Sequence, residues 1–388
     1  MDYGKYLVDE ILPHWIEISK DEEYGGVFNW FDENSKVAST DKIVWFLGRE
    51  LWSYSMAYRL ADARPEYIDM CEHLYEFLKK ITPQSGRLPY TVTRDGKPNV
   101  EQNDIFYYSE IFCAMGCAQY YRICKREEVW KSAELYFDVA YDLYKKNKFT
   151  TQEEADEDCK ALGLHMAMLA MVQFVRNVGR DYEKYDAAAR DVINEMMSAG
   201  FVNDEKKQVN EYLPLGKEPL KTWVADMCYP GHVYEAAWFV LCEGEVKNDD
   251  KIREFGKKLL DYAMPEGFEK ITLLIPTDRN LSKPLAEDLI DTFRHWPNQE
   301  AVVAYRMAHY MFEEDKYLDL ANSLEKEAFE YFADREDGRW YISINKSEGK
   351  VSERKNKGGH IEGPFHLERF LLALDSIEKT GNILNYME

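Results

Sequence analysis

The chain has 388 residues, is 45% hydrophobic and carries a net charge of −22. That length fills either two domains or one closed, repeat-built architecture. The negative field repels phosphate backbones and anionic lipid, which argues against nucleic-acid and membrane-surface roles, and no apolar run is long enough to span a bilayer.

The N-terminus, MDYGKYLVDEILPHW, has no basic stretch followed by an apolar one, so no secretory leader is expected. A first helix is predicted near residues 3–20. EYGGVFNWFDENSKV (23–37) then reads as a short β-hairpin, with a glycine start, alternating aromatic and β-branched residues and a polar turn. VWFLGRELWSYSMAYRL (44–60) is apolar nearly all round, as in a helix buried on both sides. YIDMCEHLYEFLKKI (67–81) is one-sided, with Ile68, Cys71, Leu74, Phe77 and Ile81 on one stripe. The alternation continues along the chain. Mostly apolar, inner-type segments lie at 111–123, 164–175, 233–242, 300–312 and 366–377, and amphipathic, outer-type segments at 126–146, 180–197, 249–263 and 316–332. The hairpin plan recurs at 85–98, 199–219 and 336–351, each time between an outer helix and the next inner one. The acidic QEEADED at 152–158 reads as a solvated loop, and 265–290 lacks the hairpin pattern.

About twelve helices therefore alternate outer and inner, with a period of roughly 65 residues. Equal numbers of each predict an all-α fold, a closed (α/α)6 barrel with short β-hairpins in its loops. No Pro/Gly/Ser-rich linker interrupts it, so residues 1–388 are read as a single domain. Seven cysteines, an odd number, lie in apolar helical stretches, where Cys113 and Cys117 are one turn apart. With no CxxC pair, reduced thiols and a cytoplasmic setting are expected.

In such a ring the inner helices all begin on one rim. Arg49, Ser109 with Glu110, His165, His232, His295 with Asn298 and Glu300, and His366 with Arg369 all fall near those starts. Charged groups at apolar helix starts are costly to bury without partners, so convergence from six helices predicts a pocket. A helix N-terminus favours the neutral imidazole, which can act as a base. Two histidines on opposing helices, His232 and His366, can remove a proton from one face of a carbon and return it to the other. Arg49 would stabilise the enediolate oxygen. Glu300 would bind a hydroxyl or orient a histidine, and Glu235, one turn beyond His232, would orient that ring. Trp45, Trp52, Trp238 and Trp296 suit stacking on a sugar. No zinc pattern, phosphate loop or dinucleotide fingerprint is present, so neither metal nor cofactor is expected.

WFLGRELWSYSMAYRL (45–60), PGHVYEAAWFVL (230–241), HWPNQEAVVA (295–304) and KGGHIEGPFHLERFL (357–371) resemble the N-acylglucosamine 2-epimerase family. YYSEIFCAMGCAQY (107–120) and the 23–37 stretch fit more loosely. The resemblance implies an (α/α)6 barrel, a homodimer in many members, and reversible C2 epimerisation of a free sugar such as N-acetylglucosamine or N-acetylmannosamine. It places the family's functional arginine, two histidines and glutamate on Arg49, His232, His366 and Glu300, with a further arginine at Arg369. Glu235, Trp296, Asn298, Glu110 and His165 complete the expected substrate-binding set. The chain departs from the family at His295, where a tryptophan is usual before Trp296, and at Glu362, where a lysine is common. His165-Met166-Ala167 replaces the His-Met-His run of cellobiose 2-epimerases and aldose–ketose isomerases. The loop at 148–158 does not resemble the family's nucleotide-activation loop. Three other readings remain at this point: an aldose–ketose isomerase, a glycoside hydrolase using Glu110 and Glu300 as opposed carboxylates, and a non-catalytic sugar-binding protein.

Overall fold

The computed structural model describes residues 1–100, 107–146, 159–288, 292–334, 339–347, 350–355, 363–381 and 387. The expected acidic loop at 152–158, the 148–158 comparison and Glu362 lie outside these residues. Among the described residues, twelve helical runs follow one another. The first, α1, passes through Tyr3–Tyr6, a π-helical turn Leu7–Ile11 and Leu12–Ser19. Then come α2 (Val44–Leu60), α3 (Pro65–Ile81), α4 (Tyr108–Cys124), α5 (Glu127–Lys145), α6 (Leu162–Arg176) and α7 (Tyr182–Ala199). The series ends with α8 (Pro230–Lys247), α9 (Asp250–Tyr262), α10 (His295–Phe312), α11 (Asp315–Tyr331) and α12 (Phe365–Thr380). Single-turn helices at Thr222–Ala225 and Leu285–Asp288 sit in loops.

The even helices pack in sequence, α2 on α4, α4 on α6, α6 on α8, α8 on α10 and α10 on α12, and α12 returns to α2. Each odd helix backs an inner one: α3 on α2, α5 on α4, α7 on α6, α9 on α8, α11 on α10, and α1 on α12. This is an (α/α)6 barrel. Burial follows the composition that predicts it. Inner α2 buries Val44, Leu47, Leu51, Trp52, Tyr54 and Met56 around its whole circumference, whereas outer α3 buries Tyr67, Met70, Cys71, Leu74, Phe77, Leu78 and Ile81. Ile68, expected on that stripe, is only half-buried. The buried residues follow one another at spacings of three and four, which centres the stripe on Met70, Cys71 and Leu74 and puts Ile68 on its flank.

Two glycines set the crossing of α2 and α4 in the inner ring. A Cβ on Gly48 would lie 2.4 Å from the Phe112 backbone, and one on Gly116 would lie 2.5 Å from the Gly48 carbonyl oxygen. So α2 and α4 meet backbone to backbone, one residue before Arg49. Helix starts carry expected signals: prolines open α3 and α8, and Asp249 caps α9 by accepting from Lys251 N at 2.9 Å.

The strand just before an inner helix pairs with the loop that leads to the next one. Lys42–Ile43 pairs with Thr91–Val92, Cys159–Ala161 with Tyr212–Pro214, Met227–Cys228 with Arg279–Asn280, and Thr292–Arg294 with residues 343–345. These short antiparallel links tie the inner-helix starts into one rim. Hairpins form in three expected places, joining Thr91–Val92 to Pro98–Val100, Val202–Asn203 to Gln208–Val209, and Ser343–Ser347 to Lys350–Lys355. At 23–37 only isolated bridges form, Lys20 to Val27 and Phe31 to Val37. There Asp32 Oδ1 accepts from Asn34 N at 2.8 Å and Lys36 N at 2.9 Å, a side-chain turn that competes with a ladder. All seven cysteines are free, and all but the partly exposed Cys124 are buried. No helix among the described residues is long and apolar enough to cross a membrane.

Candidate active site

The rim delivers two histidines, each held by a carboxylate on the same ring nitrogen. His366, in the first turn of α12, has Nδ1 2.8 Å from Glu300 Oε1 of α10. His232, in the first turn of α8, has Nδ1 3.0 Å from Glu211 Oε1. An ionised carboxylate only accepts, so Nδ1 is assigned the hydrogen in both rings and Nε2 the lone pair; at His366 the 2.8 Å contact to Glu300 outweighs the longer one, 3.3 Å, to Arg369 Nη2. That is the tautomer a general base needs.

Around His366 the carboxylates are shared. Arg369 Nη2 donates to Glu235 Oε1 and to Glu300 Oε1, each at 2.5 Å. Trp238 Nε1 donates to Glu300 Oε2 at 3.0 Å. Glu300 is thereby fixed from both oxygens, and its orientation fixes His366. Burial pushes the His366 imidazole well below its ordinary pKa, and the Arg369 and Arg49 guanidiniums push it further. His366 is therefore neutral at pH 7 and ready to take a proton. Glu235, Glu300 and His366 present ligand atoms within 4.8 Å of one another, a spacing that suits a metal ion. The Arg369 guanidinium already sits between the two carboxylates as their cation, so the donor set is balanced by the protein itself.

His232 is placed by a different device. Glu211 lies in the loop between α7 and α8, fully buried, and accepts a second hydrogen bond from Gly163 N at 3.0 Å. Its own backbone is pinned on both sides, with Leu162 N donating to Glu211 O at 2.8 Å and Glu211 N to Met227 O at 3.2 Å. A Cβ on Gly163 would stand 2.8 Å from His232 Nδ1, so only glycine leaves room for the ring. Sequence reasoning expected Glu235 to orient His232. The structure gives Glu235 to Arg369 instead, because α8 turns its carboxylate toward α12. The missed residue, Glu211, had one signal: it follows Val209 by two residues in the 199–219 segment, so the alternation that buries Val209 also buries a carboxylate, which needs a partner there.

Trp296 joins the two histidines. Its ring centroid is 5.5 Å from His232 and 5.4 Å from His366, tilted by 37° and 35°. A Cβ on Gly231 would fall 2.3 Å from the Trp296 ring, so glycine before His232 admits the indole. Trp52 and Trp238, also expected as stacking surfaces, are completely buried. Trp45 is part-exposed and stacks on the Arg49 guanidinium at 4.3 Å, as Phe112 does at 4.2 Å and Phe365 at 4.5 Å. Arg49 Nε is buried and has no hydrogen-bond partner among the described residues. Burial pushes the guanidinium down to about 9, with the Glu235 and Glu300 charges opposing. It remains a cation at neutral pH, steered by these rings and, among the described residues, by no ion pair.

Three other expected site residues are engaged elsewhere. Asn298 Oδ1 accepts from Ile275 N at 2.8 Å and its Nδ2 donates to Arg294 O at 2.7 Å, which pins the 265–288 loop to the α10 start. Glu110 is fully buried and accepts from Arg87 Nη1 at 2.5 Å and Leu88 N at 2.8 Å, which leaves it holding a hairpin rather than opposing Glu300. His165 packs edge-on against Tyr144 and Phe201 at 5.4 and 5.2 Å, with Nδ1 2.8 Å from Ala161 O. It faces the outer layer, away from the His232–Trp296–His366 surface.

The family model for N-acylglucosamine 2-epimerase matches residues 26–362. A mouse (Mus musculus) N-acylglucosamine 2-epimerase is 26% identical over 400 residues, covering 98% of this chain and 92% of that protein. A cellobiose 2-epimerase from Ruminococcus albus is 25% identical over 387 residues, covering 95% and 96%. The crystal structure of a sugar epimerase from a ruminal bacterium superposes with a TM-score of 0.81 at 20% identity, covering 97% of this chain and 98% of that one. The barrel, its rim and the matched length together show that this chain belongs to the N-acylglucosamine 2-epimerase family.

Proposed function

We propose that the protein is a sugar 2-epimerase that reversibly inverts C2 of a free sugar, with N-acetylglucosamine and N-acetylmannosamine as the first pair to test. The observation that supports this best is the matched pair of imidazoles. Each has a carboxylate on Nδ1, and both lie beside the single Trp296 ring. In the open-chain sugar, the C2–H lies next to the C1 aldehyde. One histidine Nε2 takes that proton, the C–H electron pair forms the C1–C2 double bond, and negative charge moves to O1. The other histidine, having first taken a proton from solvent on Nε2, gives it to the opposite face of C2, and the proton held by the first ring exchanges with solvent to reset the pair. Arg49 stabilises the anionic oxygen as a fixed cation. Glu211 and Glu300 stabilise each imidazolium as it forms.

Incubation in D2O with candidate aldoses and 2-acetamido sugars tests the reading by NMR. Deuterium should enter at C2 of substrate and product. Absence of exchange on every sugar overturns it. Appearance of a ketose would instead assign proton transfer from C2 to C1 in the same pocket. His232→Ala and His366→Ala should each remove nearly all epimerisation while keeping the wild-type melting profile.

A further inference from the structure

A third imidazole reaches the same place. His295 opens α10, immediately before Trp296. Its Nδ1 lies 3.1 Å from Oε1 of the fully buried Gln299, one turn on. Its backbone N–H donates to Ile342 O at 3.2 Å, which ties the residue to the loop before α12. Phe332 meets the ring edge-on at 6.5 Å. Burial pushes its pKa down to about 4, yet the residue keeps accessible surface, and it lies close enough to His366 to act on that ring's charge. The residue thus opens the helix that carries Trp296, whose indole borders both His232 and His366, and it keeps surface that a ligand can reach.

We propose that His295 recognises a hydroxyl of the sugar bound at His366, with Nδ1–H donated to Gln299 Oε1 and Nε2 accepting from the hydroxyl. The proposal rests on the epimerase reading for its ligand class. His295 differs from the two bases in its partner, which is a neutral amide. Among the described residues no carboxylate bonds to this ring, so it is suited to accept a hydrogen bond and unsuited to shuttle the C2 proton. A neutral acceptor also adds selectivity without a third positive charge beside Arg49 and Arg369. A site built to bond a hydroxyl discriminates against analogues that lack it, because its own polar atom is then left unpaired.

The test is steady-state kinetics of wild type, His295→Phe and His295→Gln on the sugar that exchanges at C2 and on its monodeoxy analogues. His295→Phe should raise KM about tenfold while kcat stays within about threefold. His295→Gln, whose carbonyl also accepts, should recover most of that loss. In wild type, one deoxy analogue should show the same KM rise, and the Phe variant should no longer distinguish it from the parent sugar. An unchanged KM, a loss confined to kcat, or equal losses on every analogue overturns the proposal. If the Phe variant fails to melt cooperatively, wild type and the Gln variant decide, and wild type showing no preference among the analogues overturns it. If wild type exchanges no sugar at C2, the epimerase reading fails separately. Calorimetric sugar binding to the same variants then tests His295 alone.

Discussion

Glu211 accepts a hydrogen bond from His232 at 3.0 Å across 21 residues of chain, from a rim loop to a helix start. The contact gives His232 the same support that Glu300 gives His366, from a different structural layer. Glu211→Gln keeps the size of the side chain and removes the charge that would stabilise an imidazolium at His232. It should lower kcat about 10²-fold in both directions with little change in KM. Initial rates from each epimer check this, and a variant with wild-type kcat rules out the orienting role.

Trp296 depends on the absence of a side chain at residue 231. Gly231→Ala puts a methyl group 2.3 Å from the indole, and Pro297 is also near. The ring must move, because the Cβ is fixed to the α8 backbone. The cost to stability should be about 1–3 kcal/mol, as for other overpacked sites. Activity should suffer more, falling about 10²-fold, because both histidines border the displaced ring. Thermal melts and kcat/KM measured on one preparation separate the two effects, and retention of full activity would show that the indole is dispensable.

Periodicity made the barrel legible, since apolar-all-round and one-sided segments alternate from residue 44 to residue 377. It also placed His232, His366, Arg49 and Glu300 on one rim. Partner choice was not legible, because it depends on how helices rotate against each other. Glu235 sits one turn from His232 in sequence but bonds to Arg369, 134 residues away. Asn298 and Glu110 occupy the right helix starts, yet each is used by its own loop. Spacing along a helix reports a shared face, whereas a hydrogen bond across the ring depends on packing that no local pattern encodes.

Arg369 is the cation on which two buried carboxylates rely. Its guanidinium is 1% exposed, and Glu235 and Glu300 are 6% and 2% exposed. Arg369→Met strands both charges in the wall of the pocket. It should cost about 3–5 kcal/mol in urea unfolding, the range for breaking a buried pair from one side. Adding Glu235→Gln should restore part of that stability by removing one stranded charge, without restoring activity. A double variant no more stable than Arg369→Met would contradict the shared-cation arrangement.

The residues beside the two arginines form an unusual pair. Glu50 follows Arg49 on α2 and Glu368 precedes Arg369 on α12, and they are 3% and 0% exposed. Burial pushes Glu50 up to about 8, opposed by the nearby Tyr54 hydroxyl. Burial pushes Glu368 well above the carboxylate range, and the Glu50 charge raises it further. The surrounding Tyr54, Tyr67 and Cys71 are raised by burial too and stay neutral. Both carboxyls are thus protonated in the folded chain at neutral pH, whereas unfolding frees them to ionise. A raised folded-state pKa contributes stability that is full below the unfolded value near 4.5 and is lost as pH rises through the folded value. Stability should therefore decline from about pH 5 upward, by about 1.4 kcal/mol per pH unit for each carboxyl, with Glu50 ceasing to contribute near pH 8. Glu50→Gln with Glu368→Gln should flatten that decline and hold the α2–α12 seam closed at alkaline pH. Urea unfolding at pH 6, 7, 8 and 9 compares the slopes, and parallel curves for wild type and the double variant would show that the pair carries no protons through this range.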